Sequence, residues 1–445
     1  MKQLVTVVLL ASSAASQLLA QVSPQRLEEQ AQAYFDAGRF NGTALLAKDG
    51  KPMLSQGYGM ANVEWNIPNA PDTKFRLGSI TKQFTAMAVL LLDQQGKLKV
   101  EDAVCKYVDP CPDAWKPITI HHLLTHTSGI PNFTSFPDYT KTMMLASPPA
   151  ESLKRFRDKP LDFTPGEKMS YSNSGYVLLG LIVEKAAGTK YDEYTRKNIF
   201  QPLGMKDTGY DWPSDVLPKR ASGYEGAGQN LRNAAYLDMT IPHAAGSLYS
   251  TVLDLMKWDE ALRAGKLLTP DNYRRYFTPD KNNYAYGWTV RTVDGAEVIS
   301  HGGGINGFST MIIRVPSQSL VAVTLSNVLP SQAARLAQDL IDLARGKEVA
   351  KPVKQTEVQL PAETLKKYVG EYALSPTFVL TVTLENGMLM TQATGQQKIP
   401  VFAKSERVFF LKVVEAELEF QVDEGGAVTG LILNQNGRKM PAKRK

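Results

Sequence analysis

One uninterrupted segment constrains this chain more than any other. From Ile80 to Leu92 the sequence runs ITKQFTAMAVLLL, with no helix breaker between Gly78 and Gly96. Its apolar residues recur nearly all round a helical wheel, so the segment predicts a central helix buried on every side. Such a helix needs a thick surround of other elements. With 445 residues the chain is long enough to supply it and to form more than one domain. Ser79 heads this helix and Lys82 stands three residues on, so the two share one face.

The surround is legible in outline. Residues 23–37 read as an amphipathic helix opened by Ser23-Pro24. Two strand-like runs, 43–48 and 52–57, flank Asp49-Gly50, a two-residue hairpin signal. Further strands are expected at 297–300, 309–315 and 320–326, and a second amphipathic helix at 330–345. The long middle, 75–286, reads mostly as helix and loop. This order predicts one antiparallel sheet completed by distant segments, with helices beside it. Residues 346–359 are polar, carry Pro352 and read as a linker. From 360 to 445 the chain is strand-rich with turn signals, which predicts a small all-β barrel domain.

The start of the sequence differs from the rest. Lys2 precedes an apolar run, Leu4 to Ala15, followed by small residues at Ala14, Ala15, Ser16 and Ala20. This is the pattern of a signal peptide over 1–20, which implies a periplasmic or secreted protein; an uncleaved anchor is the alternative reading. The only two cysteines, Cys105 and Cys111, are close enough to bridge in an oxidising compartment, or they are free thiols. Net charge is +6 with a basic tail, Lys443-Arg444-Lys445. No Lys/Arg stripe with interleaved aromatics occurs, so nucleic acid is not an expected partner. The partner expected is a small-molecule or peptide substrate.

Three short elements carry candidate chemistry. A serine at a helix N-terminus feels the positive dipole end, and a lysine in an apolar setting loses basicity, so Ser79 and Lys82 can form a nucleophile and base. Tyr171 and Asn173 follow the Pro165-Gly166 turn and sit on a loop entering a helix. A phenol beside two cations can lose and carry protons, and an amide can hold a carbonyl or orient the lysine. His301-Gly302-Gly303-Gly304 ends a strand where a ligand backbone can approach closely. His301 can donate to substrate or to Tyr171. A backbone N–H of this strand can pair with that of Ser79 as an oxyanion hole. Each element alone also has a plain structural reading: an N-cap with a solvated lysine, a packed tyrosine, a glycine-rich hairpin.

Taken together and in order, the three motifs Ser79-x-x-Lys82, Tyr171-x-Asn173 and His301-x-Gly303 resemble the serine β-lactamase and penicillin-recognising superfamily. The branch is the class C-like one, with its D-Ala-D-Ala carboxypeptidase, D-aminopeptidase and esterase relatives. The segments from His122 to Gly129 and from Ile199 to Gly204 look similar too. The resemblance covers residues 24 to 346, and the final ninety or so residues resemble a lipocalin-like domain. It implies an α/β (α+β) fold, an antiparallel sheet flanked by helices with an all-helical lobe, over 21–345. It implies an acyl-enzyme on Ser79, proton transfer by Lys82 and Tyr171, and oxyanion donors at Ser79 and Gly304. It implies no cofactor. Substrates would be D-amino-acid peptides or small esters; β-lactam hydrolysis and a sensor that binds penicillin without turnover are the alternatives. Where β-lactamases of this branch carry Lys-Thr-Gly, this chain has His301-Gly302-Gly303, which argues against efficient β-lactam hydrolysis. Asn132 lies near the site but, following Pro131, reads as structural.

Other constellations are weaker. His122 and His126 stand four apart and could chelate a metal on one helix face, yet no third ligand accompanies them. His243 precedes a short predicted helix and reads as packing. No Gly-x-Ser-x-Gly elbow, phosphate loop or dinucleotide fingerprint is present.

Overall fold

The computed structural model describes residues 22–226, 230–354, 357–385, 387–396, 398–411, 416–435 and 438–445. The expected signal peptide lies outside the described residues. Asp49 and Gly50 adopt φ of 52° and 75°, the left-handed pair that a tight hairpin requires. They join β1 (Gly42–Lys48) to β2 (Lys51–Tyr58). The remaining strands of the main sheet come from far downstream: β3 (Thr289–Val293), β4 (Ala296–Ile305), β5 (Phe308–Val315) and β6 (Leu320–Ser326). The order is β3-β4-β5-β6-β1-β2, antiparallel throughout.

The central strands are covered on both faces. Leu45, Ile312, Val321 and Val323 belong to one core cluster, while their neighbours Leu46, Ile313 and Ala322 belong to another. That alternation is the period-two geometry of a strand with a helical layer on each side. Five helices matter for the site: α1 (Pro24–Asp36), α2 (Thr81–Gln94), α3 (Asn173–Ala187), α4 (His243–Gly246) and α5 (Ala333–Ala344). Leu27 and Ala31 of α1 and Leu336 and Leu340 of α5 fill the second cluster. Helix α2 belongs to the first. Its residues Thr81 to Asp93 are all buried, as the sequence predicts. Each large apolar side chain withdrawn from water contributes about 1.5–3 kcal/mol, so α2 anchors this half of the molecule. No helix among the described residues is long and apolar enough to cross a membrane.

The C-terminal part is a nine-stranded antiparallel sheet running from Gly370–Ser375 to Arg438–Arg444. Its two outermost strands, Ile399–Pro400 and Phe402–Ala403, are consecutive in sequence. Val401 joins them and donates its N–H to Leu389 O at 2.9 Å, so the sheet curls into a nearly closed barrel. The interior is filled by side chains. The ring of Phe420 lies 4.5 Å from that of Tyr368, and 5.5 Å from those of Tyr372 and Phe409.

Candidate active site

Ser79 sits in a short 3-10 turn, Gly78–Ile80, that leads into α2. Gly78 has φ +54° and packs on the end of β4. A Cβ there would lie 3.0 Å from both the N and the O of Gly304. This close approach brings the nucleophile turn against the glycine-rich strand. Gly303 is packed more tightly still, since a Cβ there would fall 1.9 Å from Leu77 O. Thr310 on β5 donates its buried hydroxyl to Leu77 O at 2.8 Å and fastens the turn to the sheet. Gly304 is the open position, with nothing within 4 Å of a Cβ. Gly303 thus acts through close packing, whereas Gly304 leaves open space beside its backbone.

Lys82 is fully buried, one turn past Ser79. Its Nζ lies 3.1 Å from Ser79 Oγ, 2.9 Å from Asn173 Oδ1 and 2.9 Å from the carbonyl of Ala245. Burial holds its pKa well below the ordinary 10.5 and is the only cause at work. In its neutral form the amine has two N–H donors and one lone pair. Asn173 Oδ1 and Ala245 O can only accept, so they take both donors. The lone pair is left facing the Ser79 hydroxyl, which is the geometry of a general base. The amide of Asn173 is oriented for this, because its Nδ2 donates to Thr134 Oγ1 at 3.1 Å. Asn132 serves the same corner: its Oδ1 accepts from Asn173 N at 3.0 Å and from Thr134 Oγ1 at 3.1 Å. The rings of Tyr171 and Tyr176 lie 4.8 and 5.4 Å from Nζ, placed to stabilise an ammonium formed in passing.

Tyr171 is partly buried, with its hydroxyl oxygen shielded from solvent. Its hydroxyl has no partner at hydrogen-bond distance. Burial raises its pKa above the usual 10, and nearby Ser79 offsets this only in part. Burial works against both cations expected beside it, holding Lys82 well below its ordinary range and lowering His301 to about 4. The phenol is therefore protonated at neutral pH, an acid rather than a phenolate.

His301 departs from expectation. Its Nδ1 donates to Gly302 O at 2.6 Å, so Nε2 is the acceptor, and it takes the Tyr284 hydroxyl at 2.9 Å. Both nitrogens are occupied and the ring stands 6.4 Å from that of Tyr171. His301 does not donate to Tyr171; it locks the strand end to Tyr284.

Several contributors were invisible in the sequence. The Ala245 carbonyl arrives from α4, with no side-chain signal to mark it. Tyr284 carries no motif. Gly287, φ +75°, lets the chain lie on the backbone of α2, where a Cβ would come 2.8 Å from Lys82 O. His122 and His126 do not share a helix face. The helix there is only Ile120–Leu124, His122 closes its capping box, and His126 lies beyond it at φ +59°. His243 is buried between Tyr191 and Tyr210, and burial lowers it to about 3. Cys105 and Cys111 are bridged.

Comparison with known proteins points the same way. The profile of the beta-lactamase family matches residues 25–346, and that of a domain of unknown function, DUF3471, matches residues 354–444. A penicillin-binding protein of Bacillus subtilis is 29% identical over 441 residues, spanning 91% of this chain and 95% of its own length. The structure of an octameric penicillin-binding protein homologue from Pyrococcus abyssi superimposes with a TM-score of 0.67 at 26% identity, covering 94% of this chain and 99% of the other. A D-stereospecific amidohydrolase from a Streptomyces species shares the fold at 24% identity, with a TM-score of 0.61 over 72% of this chain and 98% of its own.

Proposed function

Because the chain belongs to the beta-lactamase family and is a serine hydrolase, we propose that it cleaves amide or ester bonds through an acyl-enzyme on Ser79. The observation that carries this reading is the Lys82 amine, held by two acceptors with its lone pair toward the serine hydroxyl. Ser79 Oγ attacks the substrate carbonyl carbon as its proton passes to Lys82 Nζ. The carbonyl oxygen becomes an oxyanion between the backbone N–H groups of Ser79 and Gly304. One such donor contributes about 3–4 kcal/mol in the transition state. The C–N or C–O bond then breaks, and the leaving group takes the Tyr171 proton while the Lys82 ammonium returns one to the phenolate. Water repeats the sequence in reverse, with Lys82 accepting its proton, and frees the acid.

The strand bears on the substrate class. His301 is neutral and turned toward Tyr284, so it offers no charge to a carboxylate. This supports D-amino-acid peptides, their amides or small esters over β-lactams. The Cys105–Cys111 bridge supports export to an oxidising compartment with removal of residues 1–20. A second reading, covalent capture of penicillin without turnover, is favoured by the relative that spans nearly the whole chain.

A fluorophosphonate probe should label the wild-type protein and not Ser79→Ala, and turnover of the best ester or D-aminoacyl amide should fall by a factor on the order of 10⁴ or more in that variant. Undiminished labelling of Ser79→Ala would exclude the mechanism. Intact-mass measurement over minutes after β-lactam addition separates the two readings, because a lasting adduct belongs to capture and a returning free mass to hydrolysis.

A further inference from the structure

Tyr171 lies on a loop between the Pro165-Gly166 turn and α3, an unsuitable place for a group that must hold a proton steady. What fixes it is His126. The N–H of Ser170 donates to the carbonyl of His126 at 2.9 Å, and the N–H of Ser172 donates to His126 Nδ1 at 3.1 Å. One residue thus holds both neighbours of Tyr171. Its ring also lies on the tyrosine ring, with centroids 4.2 Å apart and planes 36° from parallel. His126 is itself confined: it is 1% exposed, its backbone is left-handed at φ +59°, and Tyr176 and Tyr284 pack on it at 5.0 and 4.7 Å.

We propose that His126 is the positioning residue for the Tyr171 hydroxyl, clamping the phenol at both flanking amides and across its face. The assignment rests on the reading of Tyr171 as proton carrier given above. It requires a particular tautomer: Nδ1 must accept from Ser172, so the proton sits on Nε2, which has no partner and lies inside the ring of tyrosines. A second proton on Nδ1 would break the Ser172 bond and place a charge near Lys82. Burial opposes that, holding the imidazole well below its ordinary range. The geometry of the clamp thus calls for the neutral imidazole.

Two substitutions separate the parts of the clamp. His126→Asn tolerates the left-handed backbone and keeps an acceptor near Nδ1, but removes the stacked ring. His126→Phe keeps a ring and loses the acceptor. A misplaced proton carrier lowers kcat by about 10²-fold, so His126→Phe should lose about that much and His126→Asn about tenfold, with KM within about threefold of wild type. The decisive measurement is a double-mutant cycle with Tyr171→Phe. If His126 acts through the phenol, adding either His126 substitution to Tyr171→Phe costs no further kcat. Multiplicative losses overturn the proposal and leave the role of Tyr171 standing. Unchanged kcat in both His126 variants also overturns it. Unchanged kcat in Tyr171→Phe alone removes the proton-carrier reading first and the clamp with it. Should His126→Phe fail to fold, judged by circular dichroism, the cycle with His126→Asn decides.

Discussion

In the barrel, the interior is apolar. Leu380, Val382, Phe409, Leu418, Phe420 and Leu431 fill it, and apart from its tyrosines Thr391 is the one buried polar side chain there among the described residues. The hydrolase domain buries a different population. Lys82, His126, His243, His301, Asp254, Asp259 and Arg314 are all withdrawn from solvent. Some of these are paired: Arg314 donates to Asp259 at 2.5 Å, and Lys257 reaches Asp254 at 2.8 Å. Lys82 is not paired with any carboxylate among the described residues. Its three contacts are all uncharged. Burying an unpaired amine costs free energy, and the cost lowers its pKa toward the uncharged form. The contrast teaches where to look for chemistry. A region obeying every rule of packing is a scaffold, and a region that breaks them at one point and surrounds the break with oriented acceptors is a site.

Three measurements would sharpen or break this contrast. The largest effect is expected from Lys82→Arg. A guanidinium keeps its proton at any accessible pH, so kcat/KM should fall by about 10³-fold; activity within tenfold of wild type would show that an uncharged amine is not what the site needs. Next is Phe420→Ala in the barrel, where loss of a buried ring should destabilise that part by about 3–5 kcal/mol. A low-temperature unfolding step should appear in calorimetry while kcat on the best substrate stays within about twofold. If activity disappears along with that step, the two interiors are one cooperative unit. The smallest effect lies in the pH profile. The base works deprotonated, and its pKa is lowered, so kcat/KM should rise with pH and level off well before 10.5. The acid works protonated, and its pKa is raised, so no descending limb should begin below pH 10. A decline between pH 7 and 9 would instead reveal a cation or a phenolate at the site.

The parts of the site that rest on side-chain spacing were open to reading from sequence. Ser79 and Lys82 meet because a helix brings every third residue to one face, and the hairpin at Asp49-Gly50 forms because those residues tolerate left-handed φ. Tyr171 and Asn173 were marked by resemblance, and the deprotonated phenol expected of Tyr171 does not hold, because protonation depends on burial that no local pattern encodes. Backbone contributions were not legible. The Ala245 carbonyl is 163 positions from Lys82 and belongs to a residue with no functional side chain. His126 misled for a related reason. Four-residue spacing implies a shared helix face only while the helix continues, and this one stops at Leu124.

The sheet carries one more consequence, for how the molecule comes into being. Asn41 beside β1 and Ser326 at the end of β6 are hydrogen-bonded although 285 residues separate them. The register Gly42↔Ser326 through Lys48↔Leu320 pairs the earliest hairpin, through β1, with the last-made strand of this sheet. High contact order of this kind slows folding, because distant segments must meet before their pairing is rewarded. During synthesis the first hairpin and the greasy helix behind Ser79 exist for most of the domain's length without their mates. Until the last strand arrives, β1 lacks its second pairing partner and the sheet stays open on that side.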